Sequence, residues 1–340
     1  MVVESQLKDK GINTDVIVLE SLYTNERKEK ILEMKKSFHK SFAFALMGQR
    51  IRVDIDSCLD QEVVNNFIQT WLSEDREQFI IFSGYWMPIV DKYLQINKNK
   101  NIRVVLCHMD AVTAASWKNF CPEDRRYEEI WLFNYNNKKI TSYIDISGNE
   151  PVPFQDREDR ILLHGGGWGI GNYKNIIPYK DAIPYRFDVI AYDNDDLENR
   201  DESCTYYQID PEWKPYYNNY SKFPPLGKVI DENKISFTNN EKYSPVYNII
   251  AKNRAIISKP GGATLIDSLS SATPIIFLDA FGKYEEKNAE LWEYYGFGIS
   301  FTEWQKNNFS SRILKKINLN ILNYRKTLTN LVDLIYATRN

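Results

Sequence analysis

Short apolar runs alternate with amphipathic stretches along most of the chain, and this pattern is typical of an α/β fold. The apolar runs predict strands at 78–82, 102–107, 129–133, 160–163, 187–192, 206–209, 255–257 and 274–278. Continuous apolar runs are expected of parallel strands that are buried on both faces. Because helical patterns separate these runs, we expect doubly wound parallel sheets.

Helical periodicity marks both ends of the chain. Residues 1–10 form an amphipathic pattern that Gly11 ends, and residues 309–337 carry apolar side chains at spacings of three and four. Between them we predict a strand at 15–19, a charged and solvent-facing helix at 26–36, and helices at 61–72 and 243–252. The apolar segment 37–46 either faces the core or forms a surface that contacts a ligand.

The best candidate for a domain boundary is the segment 147–160, SGNEPVPFQDREDR. It contains Pro151 and Pro153, carries many charges and lacks apolar periodicity. A chain of 340 residues is long enough for two domains, each with its own core. We therefore predict one domain at 1–150, a second at 155–308, and a terminal helical region at 309–340.

Composition removes several classes of function. The chain is 43% hydrophobic and 26% charged. Its net charge is −3, so it lacks the excess of basic residues that is typical of nucleic-acid-binding proteins. No apolar run approaches the length of a membrane span, and no signal peptide is visible. The four cysteines lack paired spacing and only three histidines occur, which argues against a disulfide framework or a zinc site and favours the cytoplasm.

Two predicted strands of the second half end in glycine-rich turns. The strand 255–257 leads into Ser258, Lys259, Pro260, Gly261 and Gly262, and a helical pattern begins at Ala263. Glycine lets a ligand approach the backbone, and a helix start offers free N–H groups to an anion, most plausibly a diphosphate. Asp267, one turn into the helix, can accept hydrogen bonds from a ribose diol.

The strand 160–163 ends in His164 followed by Gly165, Gly166, Gly167, Trp168 and Gly169. The spacing of these glycines differs from that of a dinucleotide-binding fingerprint. A loop so rich in glycine nevertheless lets the backbone approach a ligand closely. A flexible hinge is the alternative, and we expect His164 to be buried at the strand end.

A catalytic base is harder to find. His108 and Asp110 follow the strand 102–107, at the sheet edge where α/β proteins bind ligands. A neutral imidazole beside a carboxylate can take a proton from an acceptor hydroxyl, although His108 can equally be a structural histidine. His39 lies between lysines in a helical pattern, and we expect it on the surface. Asp54 and Asp56 have the spacing of a metal-binding pair but lie in the other half, so no metal is predicted.

The ordered set of residues in the second half resembles the nucleotide-sugar half of GT-B glycosyltransferases. It is similar to the branch of diacylglycerol glucosyltransferases, galactolipid synthases and the peptidoglycan N-acetylglucosaminyltransferase. That branch carries a KPGG-x-T turn, an acidic residue three positions later, and a G…E…NA segment after the next strand. The matching residues are Lys259, Pro260, Gly261, Gly262, Thr264, Asp267, Gly282, Glu285, Asn288 and Ala289.

The resemblance implies two Rossmann-like domains that face a cleft, with a terminal helix that crosses back onto the first. It implies that Gly165–Gly169, Ser258, Lys259, Gly261, Gly262, Thr264 and Asp267 bind the donor nucleotide, and that Glu285 and Asn288 contact sugar hydroxyls. The expected activity is metal-independent transfer from a UDP-sugar to a small-molecule or lipid acceptor, without a cofactor and with at most peripheral membrane contact. Aromatic residues in the segment 211–225 either stack on the uracil or cover a core edge.

The chain departs from that branch at its start, where a strand and a glycine-rich loop with a catalytic histidine are expected and not seen. This departure supports one alternative, a non-catalytic GT-B subunit that depends on a partner. A second alternative is an enzyme like the hydrolysing UDP-N-acetylglucosamine 2-epimerases, which share the fold and the donor.

Overall fold

The computed structural model describes residues 1–49, 54–118, 127–198, 200–216, 222–231 and 234–337. The helices of the first half are α1 (Val2–Asp9), α2 (Asn25–Lys40), α3 (Phe42–Gly48), α4 (Gln61–Ser73), α5 (Met87–Ile96) and α6 (Ala115–Lys118). Its strands are β1 (Gln78–Ile81), β2 (Arg103–His108), β3 (Tyr127–Trp131), β4 (Phe133–Asn134), β5 (Lys139–Ile140) and β6 (Ser142–Tyr143).

The second half begins with β7 (Glu158–Leu163), β8 (Arg186–Ala191), α7 (Asp195–Glu198), β9 (Thr205–Ile209), β10 (Leu226–Asp231) and β11 (Lys234–Thr238). It continues with α8 (Val246–Lys252), β12 (Asn253–Ser258), α9 (Gly262–Ser271), β13 (Ile275–Phe277), α10 (Lys283–Tyr295), β14 (Gly298–Ser300) and α11 (Phe301–Lys306). The chain then forms α12 (Ser311–Arg325), β15 (Thr329–Asn330) and α13 (Leu331–Ala337).

The first sheet is parallel and has the order β1-β2-β3. Side chains of β2 alternate between two cores, as the two-residue period of a strand requires. Val104 and Leu106 pack with α4 and α5, whereas Val105 and Cys107 belong to a core that continues into the second half. The central strand of this sheet therefore has apolar neighbours on both faces, which explains its continuous apolar run.

The second sheet has the order β11-β10-β9-β8-β7-β12-β13-β14. Its strands from β9 to β14 in this order are parallel, and β10 and β11 add an antiparallel hairpin. From β7 the chain proceeds to β8 on one side, and from β12 it proceeds to β13 on the other. The order of the strands thus reverses between β7 and β12, and ligands of open α/β sheets bind at such a switch point.

The predicted strand at 15–19 is wrong. Residues 12–18 have no regular structure, and a short 3₁₀ turn follows at Leu19–Leu22. A cavity of about 790 Å³ separates this segment from β1 and is also lined by α1 and by Ile335. Among the described residues, this segment forms no hydrogen-bonded ladder with β1 or with another strand.

The segment 147–160 is anchored more firmly than a linker would be. Phe154 and Arg157 are buried within it. Burial lowers the pKa of the Arg157 guanidinium to about 10, so it is still a cation at neutral pH. It donates to the carbonyl oxygens of Val152, Asn253 and Ser271 and to the hydroxyl of Thr273. The domain limits at this segment stay a prediction.

The end of the chain returns to the first half, as expected of a crossing helix. The single long helix predicted at 309–337 is instead broken into α12, β15 and α13. Here β15 pairs with β6, and the Arg103 guanidinium donates to the carbonyl oxygen of Ile335 at 3.0 Å. Across the described ranges, no helix has the length and apolarity needed to cross a bilayer.

Two predictions fall partly outside the described residues. Cys58, Cys107 and Cys204 are free thiols, and Cys121 lies in an undescribed range. Of the aromatic segment 211–225, Tyr217 and Tyr220 are likewise outside the description. Within it, the Lys28 ammonium lies 5.7 Å from the centre of the Tyr216 ring, so this loop reaches α2.

Candidate functional site

The two glycine-rich turns lie side by side, because β7 and β12 pair in register up to Leu163 and Ile257. The first turn is compact. Gly166 and Gly169 have φ values of +73° and +67°, and a Cβ on Gly165 would lie 2.3 Å from the Gly169 carbonyl carbon. His164 is buried, and its Nδ1 accepts a hydrogen bond from the Gly166 N–H at 3.0 Å. Burial lowers the pKa of His164 to about 4, so this neutral ring acts as a cap for the turn.

The second turn begins α9 without a side-chain cap. Gly261 is the N-cap residue, and because glycine has no side chain it offers no capping acceptor to the first N–H groups of the helix. Thr264 and Ser258 are buried beside these groups. The Ser258 hydroxyl and His164 Nε2 are buried and have no hydrogen-bond partner among the described residues. Buried polar atoms without partners are commonly satisfied by a ligand or by water.

The Lys259 ammonium lies between the two turns. Its Nζ is 3.8 Å from the position that a Cβ on Gly166 would take and 2.9 Å from that on Gly261. It forms an ion pair with Glu285 Oε1 at 2.5 Å, and Glu285 Oε2 accepts the Phe281 N–H at 2.7 Å. A cation therefore faces both glycine-rich turns, and one buried carboxylate neutralises it.

Asn288 joins the two halves of the molecule. Its side chain is fully buried, and Oδ1 accepts the Ala111 N–H at 2.7 Å. Its Nδ2 donates to Asp110 Oδ1 at 2.8 Å and to the Pro260 carbonyl oxygen at 2.9 Å. The amide predicted to contact sugar hydroxyls thus makes a contact between the halves in this arrangement.

Asp110 lies against the start of α9, a contact that the sequence did not predict. A Cβ on Gly262 would be 2.6 Å from the Met109 carbonyl oxygen and 2.8 Å from Asp110 Oδ1. Burial raises the pKa of Asp110, and the charge of Glu285 acts in the same direction against the hydrogen bond from Asn288. The catalytic role of Asp110 stays a prediction.

His108 lies apart from that boundary in an aromatic environment. Its ring stacks on Trp131 at 4.0 Å between centroids and packs against Trp117 at 4.5 Å. Both ring nitrogens are buried and lack a hydrogen-bond partner among the described residues. Burial lowers the pKa of His108 to about 4. Such a ring takes a proton from an acceptor only after a rearrangement, so its catalytic role stays a prediction.

Asp267 is partly buried on α9, and burial raises its pKa to about 7. Near neutral pH the side chain therefore exists in both protonation states. The ionised form is the better acceptor for a diol. Its place in a donor site stays a prediction.

Helices α2 and α3 cover the first turn, which the sequence did not predict. Phe38 and Ala45 are buried against Ile170, and Trp168 lies 6.2 Å from the Phe38 ring. This result favours the core-facing alternative for part of the segment 37–46, although 51% of Phe44 is exposed.

His39 is not on the surface, so that expectation is wrong. Only 5% of its side chain is exposed, and it contacts Gly169 and Asp196 in the other half. His39, Asp193 and Asp196 offer atoms within 4.8 Å of one another, a spacing that can suit a metal ion. The Lys174 ammonium already pairs with Asp196, and we assign no metal ligands here.

Comparisons with known proteins identify the fold. No protein-family profile matches the chain, and no curated protein matches its sequence. The glycosyltransferase VinC, solved in complex with dTDP, aligns at a TM-score of 0.52 with 9% identity, covering 98% of this chain and 88% of VinC. Spinosyn rhamnosyltransferase SpnG aligns at 0.50 with 9% identity, covering 90% and 81%. Acinetobacter baumannii MurG aligns at 0.48 with 11% identity, covering 81% and 78%.

At such identities the likeness of VinC and SpnG to this chain concerns the fold alone. The chain has the GT-B fold with two Rossmann-like domains, and that prediction is confirmed. The comparisons do not separate the branches of this fold.

Proposed function

We propose that the protein is a glycosyltransferase that uses a nucleoside diphosphate sugar, with a UDP-sugar as the donor. The observation that carries this proposal is the position of the Lys259 ammonium between two glycine-rich turns at the switch point of the second sheet. Backbone N–H groups, a helix N-terminus and a cation at one place suit a diphosphate. The Ser258 hydroxyl and His164 Nε2, which have no hydrogen-bond partner in the described part of the chain, lie at the same strand ends and support a bound ligand there.

The donor diphosphate would lie at the start of α9. It would replace the Glu285 carboxylate as the ion-pair partner of the Lys259 ammonium. Both groups are anions, so the exchange keeps the ammonium paired at every stage. As the glycosidic bond to the diphosphate breaks, the same N–H groups and Lys259 stabilise the charge that develops on the leaving oxygen. No metal ion is required for this stabilisation.

Asp110 is our candidate for the base. The acceptor oxygen attacks the anomeric carbon, the bond from that carbon to the diphosphate oxygen breaks, and the acceptor proton passes to the Asp110 carboxylate. The products are the glycosylated acceptor and the nucleoside diphosphate. The raised pKa of Asp110 favours this transfer because the carboxylate binds a proton more tightly than an exposed one.

The identities of the nucleotide and of the acceptor are separate parts of the proposal. The KPGG turn favours UDP, whereas VinC was solved with dTDP, so both nucleotides belong in the test. A net charge of −3 favours a small soluble acceptor over an anionic bilayer.

A non-catalytic GT-B-like protein is the second candidate, and one observation favours it. Glu285 and Asn288 are both buried and fully engaged with other protein groups. If these contacts do not open, neither Glu285 nor Asn288 can bind a sugar.

Thermal unfolding with UDP, dTDP and pyrophosphate tests the donor site. A ligand at about 100 times its Kd adds about 2.7 kcal/mol to the free energy of unfolding. Asp267→Ala should weaken UDP binding by about 1–3 kcal/mol through the lost ribose hydrogen bonds and leave the pyrophosphate shift unchanged. No shift with any of the three ligands would reject the donor site.

Turnover separates the two candidates. Asp110→Asn keeps an oxygen that can accept the hydrogen bond from Asn288 but removes the base. If the protein is an enzyme, we expect this variant to bind UDP as the wild type does. We also expect it no longer to release UDP from the UDP-sugar that the wild type cleaves. The assay contains a panel of hydroxyl and amine acceptors, because the proposed step needs one. Binding of UDP by the wild type without release from any UDP-sugar in the presence of this panel would favour the non-catalytic protein.

A further inference from the structure

His39 at the end of α2 reaches across to the first glycine-rich turn. Its Nδ1 lies 2.8 Å from the carbonyl oxygen of Gly169, which is 130 positions away in the chain. Its Nε2 lies 2.9 Å from both carboxylate oxygens of Asp196. The ring therefore links a helix of the first half to two segments of the second half.

The chemistry of the partners fixes the protonation of the ring. A carbonyl oxygen and an ionised carboxylate can only accept hydrogen bonds. A neutral imidazole carries one N–H, so it can satisfy only one of these acceptors. His39 must be protonated on both nitrogens to make both contacts, and in this arrangement it is an imidazolium ion.

The surroundings favour that charge. Burial alone lowers the pKa of His39, but the hydrogen bond and charge of Asp196 and the Gly169 carbonyl raise it above its ordinary value, against a smaller effect of Lys174. Asp193 Oδ2 lies 3.9 Å from Nε2, and the Tyr192 ring packs at 5.4 Å between centroids. Asp196 also accepts the Tyr192 N–H and the Lys174 ammonium, and its pKa is lowered to about 2. Two carboxylates and one ammonium thus face the ring.

The contact acts on a part of the turn that has little freedom. Gly169 has a φ of +67°, and a Cβ there would lie 2.5 Å from His39 Nδ1 and 2.6 Å from the Tyr192 ring. Gly165 packs directly on Gly169, so a shift at Gly169 moves the start of the turn as well. A group that holds the Gly169 carbonyl therefore influences the whole run from Gly165 to Gly169.

We propose that His39, as an imidazolium ion, is a positioning residue that holds the turn Gly165–Gly169 from across the cleft. When the ring loses a proton, one of its two contacts is lost and the turn becomes looser. The effect on nucleotide binding rests on the proposed function, whereas the effect on the turn does not.

Hydrogen exchange of the peptide 164–171 tests the positioning directly, without nucleotide. Three proteins are compared at pH 6 and pH 8, with rates corrected for the intrinsic pH dependence: the wild type, His39→Gln and Lys40→Gln. Glutamine retains one donor but carries no charge. Lys40 is a matched control, because its ion pair with Asp195 joins the same two regions at 2.5 Å but 60% and 57% of the two side chains are exposed.

We expect wild-type protection of this peptide to fall about ten-fold between pH 6 and pH 8, the scale of one hydrogen bond to a charged group. His39→Gln should be weakly protected at both values, and Lys40→Gln should follow the wild type. Equal protection in the wild type and His39→Gln, or the same pH dependence in both, would overturn the proposal.

Titration with UDP at the same two pH values then separates the two ideas. If the UDP affinity of the wild type falls from pH 6 to pH 8 and that of His39→Gln does not, the result supports both the positioning role of His39 and the proposed donor. An exchange effect together with no UDP binding at either pH would leave His39 as a positioning residue and reject the proposed donor.

Discussion

Among the contacts that join the halves of this molecule near the candidate site, two hold the glycine-rich turns and differ in chemistry. The amide contact consists of Asn288 with Asp110, Ala111 and Pro260, and it is buried and built around an uncharged amide. The charged contact consists of His39 with Gly169 and Asp196, and it depends on a proton. The amide contact supports the turn that begins α9 through an uncharged side chain, whereas the charged contact supports the neighbouring turn only while His39 is charged. The two turns of one site can therefore respond differently to pH.

Removal of Asn288 should have the largest effect on stability. Asn288→Ala leaves the Ala111 N–H, Asp110 and the Pro260 carbonyl without their buried partner, which should cost about 3–5 kcal/mol for three hydrogen bonds. Chemical denaturation measures this loss. Asn318→Ala is the matched control, because this buried side chain donates to the carbonyl oxygen of Ala272 within the second half. Equal losses in the two variants would contradict the importance of the amide contact.

A side chain at Gly262 should disturb the same contact by steric means. Gly262→Val places a Cβ 2.6 Å from the Met109 carbonyl oxygen, and overpacking of this kind costs about 1–3 kcal/mol. Gly167→Ala is the control, since a Cβ there meets nothing within 4 Å. We expect denaturation midpoints to fall for Gly262→Val and to stay near the wild type for Gly167→Ala. An unchanged midpoint for Gly262→Val would mean that the two halves do not meet at this turn.

The charged contact should show a smaller effect that depends on pH. The pKa of His39 is raised on folding, so its contribution to stability is complete below the ordinary value near 6.5 and is lost as the pH rises through the folded value. Between pH 6 and pH 8 we expect a loss on the order of 1 kcal/mol, the scale of one hydrogen bond. His39→Gln should remove this part of the pH dependence, and Asn288→Ala should not. If both variants retain it, another group is responsible.

The sequence predicted the strands well where burial on both faces produced a continuous apolar run. The runs at 102–107 and 255–257 correspond to β2 and β12 for this reason. It did not predict the hairpin of β10 and β11, because Gly227 and Lys228 interrupt the apolar pattern of β10. The apolar segment 15–19 was predicted as a strand, but a strand also requires a partner for its backbone, and a cavity lies between this segment and β1.

Only those parts of the site that depend on neighbouring residues in the sequence could be predicted. The turns at Gly165 and Gly261 are visible as glycine runs after apolar runs, and their adjacency follows from the parallel sheet. The burial of His39 was not predictable, because its partner Asp196 lies 157 positions away in the other half. Equally, nothing local indicates that Asn288 contacts Ala111, which is 177 positions away.

Calorimetric titration of UDP into the wild type and Lys259→Met tests the central claim, that the two glycine-rich turns and this ammonium form one anion site. Lys287→Met is the control, because the Lys287 ion pair with Glu290 lies at the surface of α10. We predict that Lys259→Met binds UDP at least about ten-fold more weakly, the scale of a lost hydrogen bond to a charged group, and that Lys287→Met binds as the wild type does. Equal affinity of the wild type and Lys259→Met for UDP would contradict the account.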